Sequence, residues 1–197
     1  MPIDHAGTKT IATPRLTLRR FDVSDTPDMF SNWACDALVA KYLTWKPYKT
    51  VEDVGRVIDE TIERYPRSDF YHWAVVLNET GELIGSASAY DIHNKTARGE
   101  IGYVIGRRWW GRGFAPEVLD ALLTFLFGEV GLECVYGQCD TDNVNSAKVM
   151  VKCGMTLEGV LRHAVKNNDG IKDAASYSIL RSEWLQRKLA RIPKKDG

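Results

Sequence analysis

Apolar and polar positions alternate along this chain in blocks of strand and helix period, and those blocks predict the order of its elements. Across 15–21, Leu16 and Leu18 alternate with Arg15, Thr17 and Arg19, which predicts a half-buried strand entered after Thr13 and Pro14. Asp22, Ser24 and Asp25 then offer caps for a helix carrying Met29, Phe30 and Trp33. Segment 36–49 is aromatic but aperiodic and predicts a structured loop. Thr50 caps a second helix, with Val51, Val54, Val57, Ile58, Ile62 and Tyr65 at helical spacing, and Pro66 ends it. Strands follow at 70–77 and 83–92, joined by a hairpin at 78–82, and a further strand at 100–105. Pro116 sits in the first turn of a long apolar helix whose core face holds Val118, Leu119, Leu122 and Leu126, and which Gly128 and Gly131 close. A strand at 135–139, a cap within 140–143, a helix to Lys152, an antiparallel pair at 155–165 and 171–180, and a short helix at 182–189 complete the series.

This order predicts an α+β fold, a mixed α/β sandwich with helices over one central, mostly antiparallel sheet. A doubly wound dinucleotide fold would need repeated βαβ units and an acidic residue ~20 positions beyond the glycines. Asp120 comes too early and lies inside the helix. With no repeat, low-complexity tract or linker, one domain over 1–197 is expected.

Charge and cysteines narrow the class. Lys+Arg and Asp+Glu are both 26, so no global basic field points to nucleic acid. Hydrophobic residues make up 44%, as in an ordinary globule. No apolar run approaches ~18 residues, so no membrane span is expected. Met1 to His5 lack the blocks of a signal peptide. Cys35, Cys134, Cys139 and Cys153 stand outside any C-x-x-C spacing, which predicts neither a disulfide framework nor a metal site. The chain reads as a reduced, cytoplasmic protein, and its basic tail (Arg187, Lys188, Arg191, Lys194, Lys195) as a solvated end.

The most informative stretch is 99–116. A strand runs into a basic turn with Arg108, Gly111, Arg112 and Gly113, and a helix begins near Ala115. Glycines let the backbone approach a ligand closely, and a helix N-terminus presents unpaired N–H groups and a positive dipole end. Together they predict an anion site suited to phosphate.

Arg108-x-x-Gly111-x-Gly113-x-Ala115 resembles the acetyl-coenzyme A motif of the GCN5-related N-acetyltransferases. The block from Asn143 through Ser146 and Met150 to Gly154 and Met155 resembles that family's downstream asparagine-to-glycine helix. Element order from Pro14 to Trp184 agrees. Thr13-Pro14-Arg15-Leu16, Leu157-Glu158-Gly159, Asn168-x-Gly170-x-x-Asp173 and Tyr177 are similar to the branch that acetylates ribosomal-protein N-termini.

The resemblance implies a seven-stranded sheet with helices on both faces, acetyl-coenzyme A as co-substrate, no metal, and a primary amine as acceptor. That acceptor is a protein N-terminus or a small amine, and the family also admits a homodimer. The turn from Arg108 through Phe114 to Ala115 would hold the pyrophosphate, and backbone groups of Tyr103, Val104 and Ile105 the pantetheine arm. Asn143 would face that arm and also suits a helix N-cap. Many family members place a tyrosine acid four residues before the glycine; here that position is Met150, which carries no proton. Ser146, one turn earlier, becomes the candidate donor to the sulfur, although a serine there also suits backbone bonding. Glu100 is the candidate base, and Tyr42, Trp45 and Tyr48 are candidate acceptor contacts. His72, His93 and His163 are unclustered and read as structural or surface groups.

Three functions compete on these residues: an acetyltransferase, a non-catalytic coenzyme A-binding module favoured by Met150, and an ordinary phosphate binder. The last lacks the Gly-Lys-Ser/Thr that would follow the glycines. Proton availability favours α-amines. At neutral pH an α-amine of pKa roughly 7.8 is free in about one molecule in seven, a lysine side chain at roughly 10.4 in about one in two thousand.

Overall fold

A computed structural model describes residues 3–190. Its centre is an eight-stranded sheet: β1 (Ile11–Ala12), β2 (Leu16–Arg19), β3 (Tyr71–Leu77), β4 (Leu83–His93), β5 (Arg98–Ile105), β6 (Cys134–Asp140), β7 (Thr156–Asn167) and β8 (Gly170–Leu180). The spatial order is β1-β2-β3-β4-β5-β6-β8-β7. All neighbours pair antiparallel except β5 and β6, which run parallel. The eighth strand beyond the expected seven is β1, only two residues long, which pairs Ile11 with Leu18 at the sheet edge. Two residues are too few for an alternating pattern to register.

Side chains of alternate sign along each strand feed two cores. Leu16, Leu18, Tyr71, Trp73, Val75, Ile101 and Ile105 pack beneath α4 (Phe114–Phe125) and α5 (Val144–Lys152). Ala74 and Leu83 pack on the other face, with Met29 of α1 (Thr26–Met29), Trp33, and Val54 and Ile58 of α3 (Val51–Arg64). Thr50 caps α3 through the Asp53 N–H, as its sequence position predicts. Within the expected loop 36–49, Asp36 caps the Leu38 N–H and starts a four-residue helix, α2 (Ala37–Ala40). Helix α4 runs on into a wider turn to Val130, and Gly131, at φ 80°, ends it. α6 (Arg181–Ala190) closes the described chain. There Arg187 donates to the Lys152 carbonyl at 3.0 Å and Lys188 pairs with Asp120 at 3.5 Å. Arg191, Lys194 and Lys195 lie outside the described residues. Among those described, no helix is long and apolar enough to cross a membrane.

Candidate active site

Strands β5 and β6 pair only at Arg98 with Cys134, Gly99 with Val135 and Glu100 with Tyr136. Beyond Glu100 they part, and the β6-side edge of β5 from Ile101 to Ile105 has no strand partner. Gly137 and Met150 mark the fork. A side chain at Gly137 would meet Ile101 at 3.0 Å and the Met150 sulfur at 3.2 Å. Met150 is 1% exposed. Its thioether fills the place where the strands diverge, so its role there is packing.

At the far end of β5 the chain turns through Gly111 (φ 73°) and Gly113 (φ 78°) into α4. Both positions require the left-handed conformation that glycine alone takes without strain. The backbone N–H groups of Gly111, Arg112, Gly113, Phe114 and Ala115 have no hydrogen-bond partner among the described residues. Two carbonyls of the turn are taken. Arg15 donates to the Arg112 carbonyl at 3.0 Å and the Gly113 carbonyl at 3.2 Å, while its Nε reaches Glu117 at 2.6 Å. With its carbonyls drawn back, the turn presents five N–H groups at a helix N-terminus, which suits a phosphate. Arg112 lies over Phe114 at 5.2 Å. Arg108 instead pairs with Glu82 at 3.0 Å. Trp109 is buried beside the turn, and the Trp110 indole donates to the Ile105 carbonyl at 2.6 Å.

The fork is polar on the α5 side. Asn143 caps α5, its Oδ1 accepting from the Ser146 N–H at 3.2 Å. Ser146 Oγ lies 3.1 Å from the Tyr103 hydroxyl, which also donates to the Ser146 carbonyl at 3.4 Å. Burial raises Tyr103 well above an ordinary phenol, so it holds its proton. The Ser146 hydroxyl also contacts the Cys139 thiol, which burial pushes up to about 11. Tyr103 therefore places a protonated phenol from β5 beside Ser146 of α5.

Glu100 occupies the opposite face of β5, between Tyr90 of β4 and Tyr136 of β6 in register. Gly102 leaves room for the Tyr90 ring, since a Cβ there would stand 3.3 Å from it. Burial raises the Glu100 carboxyl above the usual range, hydrogen bonds from the Tyr136 and Tyr90 hydroxyls oppose the rise, and Asp91 adds to it. Tyr136 itself is pushed up to about 12, chiefly by burial.

The aromatic loop borders the second core. Trp45 stacks on Tyr48 at 5.6 Å, both packed on the second core, and Tyr42 faces Lys41 at 4.9 Å. Asn168 from the β7–β8 turn holds the loop, donating to the carbonyls of Ala40 at 2.8 Å and Trp45 at 2.7 Å. None of the three aromatics lines the cavity of about 960 Å³ beside the β4–β5 turn. Of the histidines, His72 lies between Phe21 and Phe70, and burial lowers it to about 4.

Sequence reasoning named Tyr103 for its backbone and left out Arg15, Tyr90 and Tyr136. In sequence Arg15 registers as a polar strand position and as part of the Thr13-Pro14-Arg15-Leu16 motif, and neither points to the glycine turn. The two tyrosines become neighbours of Glu100 through strand pairing alone.

Comparison with known proteins accords with this geometry. Residues 15–156 match the sequence model of the Acetyltransferase (GNAT) domain. The uncharacterized N-acetyltransferase p20 of Bacillus licheniformis is 28% identical over 176 residues, covering 89% of this chain and 98% of that protein. The ribosomal-protein-serine acetyltransferase of Escherichia coli strain K12 is 30% identical over 139 residues, covering 69% of this chain and 75% of its own. A GNAT-family acetyltransferase from Bacillus anthracis superposes with a TM-score of 0.78 at 25% identity, over 89% of this chain and 100% of that one. With its forked strands and glycine turn, the chain belongs to the GNAT family, the acetyl-coenzyme A-dependent N-acetyltransferases.

Proposed function

We propose that this protein transfers the acetyl group of acetyl-coenzyme A to the N-terminal α-amine of a protein or peptide, by direct attack in a ternary complex. The observation that carries the reading is Glu100, a raised carboxyl held between two tyrosine hydroxyls where β5 and β6 part. A carboxylate is a weak base, sufficient for an amine already part free at neutral pH and poorly matched to a lysine side chain. The similarity to a ribosomal-protein-serine acetyltransferase agrees with this choice.

The N–H groups of 111–115 bind the pyrophosphate, with Arg112 adding charge and Arg108 able to join after leaving Glu82. The open edge of β5 at Tyr103 and Val104 takes the pantetheine amides, with Asn143 opposite. Ile105 contributes less, because Trp110 occupies its carbonyl.

Glu100 accepts the proton of the attacking amine as nitrogen bonds to the thioester carbonyl carbon. Ser146 Oγ delivers a proton to the sulfur as the carbon–sulfur bond breaks. The Tyr103 hydroxyl 3.1 Å away passes its proton to Ser146 and regains one from solvent as coenzyme A leaves, while Glu100 releases its proton to solvent. Buried, protonated Cys139 supports direct transfer without an acyl-enzyme. Tyr42, Trp45 and Tyr48, all partly exposed, contact the acceptor, and Trp45 and Tyr48 also brace the loop.

The test is incubation of the purified protein with acetyl-coenzyme A and peptides of free or blocked N-terminus, with thiol release measured and tandem fragmentation locating the acetyl group. We expect α-amine acetylation that rises with pH toward ~8. Binding without thiol release, or preferential lysine acetylation, contradicts the reading.

A further inference from the structure

The sheet face that carries Glu100 continues, away from the glycine turn, into the cavity of about 960 Å³. Its wall includes His93, Asn94, Lys95, Arg98, Tyr136 and Gln138, and no aspartate or glutamate is among its lining residues. Two cationic side chains, Lys95 and Arg98, around one hollow without a carboxylate in its lining are a local departure in a chain whose Lys+Arg and Asp+Glu are both 26.

The β4–β5 turn that presents these groups is pinned. Asp91 (φ 48°) and Ala97 (φ 47°) hold left-handed backbone conformations that are unusual for residues with a Cβ. The register slips between Tyr90 and His93. The Ala97 carbonyl accepts from the N–H groups of Glu133 at 2.7 Å and Cys134 at 3.2 Å, tying the turn to β6. The Arg98 guanidinium lies over the Tyr136 ring at 4.2 Å. That stacking covers its flat face and leaves its N–H edge for an acceptor. Among the described residues, neither Arg98 nor Lys95 forms an ion pair within 4.0 Å.

Tyr136 joins this hollow to the reaction centre, because the ring beneath Arg98 carries the hydroxyl that bonds Glu100. The face is therefore bipolar, with the Glu100 carboxyl on one side of Tyr136, Arg98 and Lys95 on the other, and Asp91 in the β4 bulge between the two levels. We infer that the cavity selects acceptors carrying a carboxylate close to the reacting amine, namely peptides with an acidic residue next to the free N-terminus. This inference rests on the α-amine reading above. The attraction is between partly exposed charges, so it discriminates by roughly tenfold at low salt and weakens as salt rises.

Three free-N-terminus peptides identical except for Asp, Asn or Lys at the second position test it, with kcat/KM measured for the wild type, Arg98→Glu and Lys95→Glu. The wild type should rank Asp over Asn over Lys, with about tenfold between the first and the last. Arg98→Glu should invert the ranking, and Lys95→Glu should flatten it. Lys95→Glu leaves the ring contact of Tyr136 in place, so it decides the matter if loss of the Arg98 stacking impairs turnover. Equal rates for the three peptides with acetyl on the α-amine, or an unchanged ranking in both variants, overturn the selectivity alone. Transfer to none of the peptides overturns the α-amine reading and the selectivity with it.

Discussion

The glycine turn and the Glu100 face lie at opposite ends of one strand and are built from different materials. At the turn the ligating groups are backbone N–H, aimed by two positive-φ glycines and by Arg15 pulling on the carbonyls behind them. At Glu100 the working groups are side chains, brought together from β4, β5 and β6 by register. A backbone site is written in consecutive residues and tolerates changes of side chain. A register site is written in residues far apart and is sensitive to each one.

Between the two lies the Tyr103–Ser146 pair, and the largest effect is expected there. Ser146→Ala should lower kcat by about 10²–10⁴-fold with little change in acetyl-coenzyme A affinity, and Tyr103→Phe by a smaller factor. Because the two hydroxyls form one relay, the double variant should be hardly worse than Ser146→Ala. Steady-state kinetics at saturating substrates checks this, and a loss below threefold in Ser146→Ala moves the proton to water.

Glu100→Gln separates chemistry from binding on the acceptor side. It should reduce kcat/KM by about 10²-fold and remove the acidic limb of the pH–rate profile, since only the ionised carboxylate accepts a proton. Its effect on stability should run the other way. The folded carboxyl lies above its unfolded value, so its favourable contribution is present below that value and lost as pH rises through the folded one. At neutral pH the substitution should leave Tm equal or higher, read by thermal melts at pH 7 and pH 4. A lowered Tm at pH 7 would contradict this.

The contrast in materials also explains what could be read in advance. Element order, the caps at Thr50 and Asn143 and the glycine turn were legible, because each rests on local chemistry within a few residues. The Tyr103–Ser146 contact spans 43 positions and the Arg15–Arg112 contact 97, and no local pattern signals either. Tyr136 meets Glu100 through the one parallel pairing in the sheet, which alternation cannot assign a partner. Loop aromatics look alike in sequence whether they face solvent or core; Trp45 and Tyr48 do both, packing on the second core while staying partly exposed.

A smaller effect comes from His72, outside both sites. Burial depresses its imidazole to about 4, so the folded protein keeps it neutral while the unfolded chain protonates near 6.5. Its contribution is fully present above about 6.5 and is lost as pH falls toward 4. Urea melts across that range should show the decline, and His72→Phe should flatten it. An unchanged slope would assign the decline to other groups.

Calorimetric titration of acetyl-coenzyme A into the wild type, Gly113→Val and Glu100→Gln tests the division between backbone and side-chain ends most directly, with circular dichroism confirming that each is folded. Valine at φ 78° must distort the turn, so Gly113→Val should lose at least about tenfold in affinity, while Glu100→Gln should bind as the wild type does. Wild-type affinity in folded Gly113→Val, or a comparable loss in Glu100→Gln, would contradict the account.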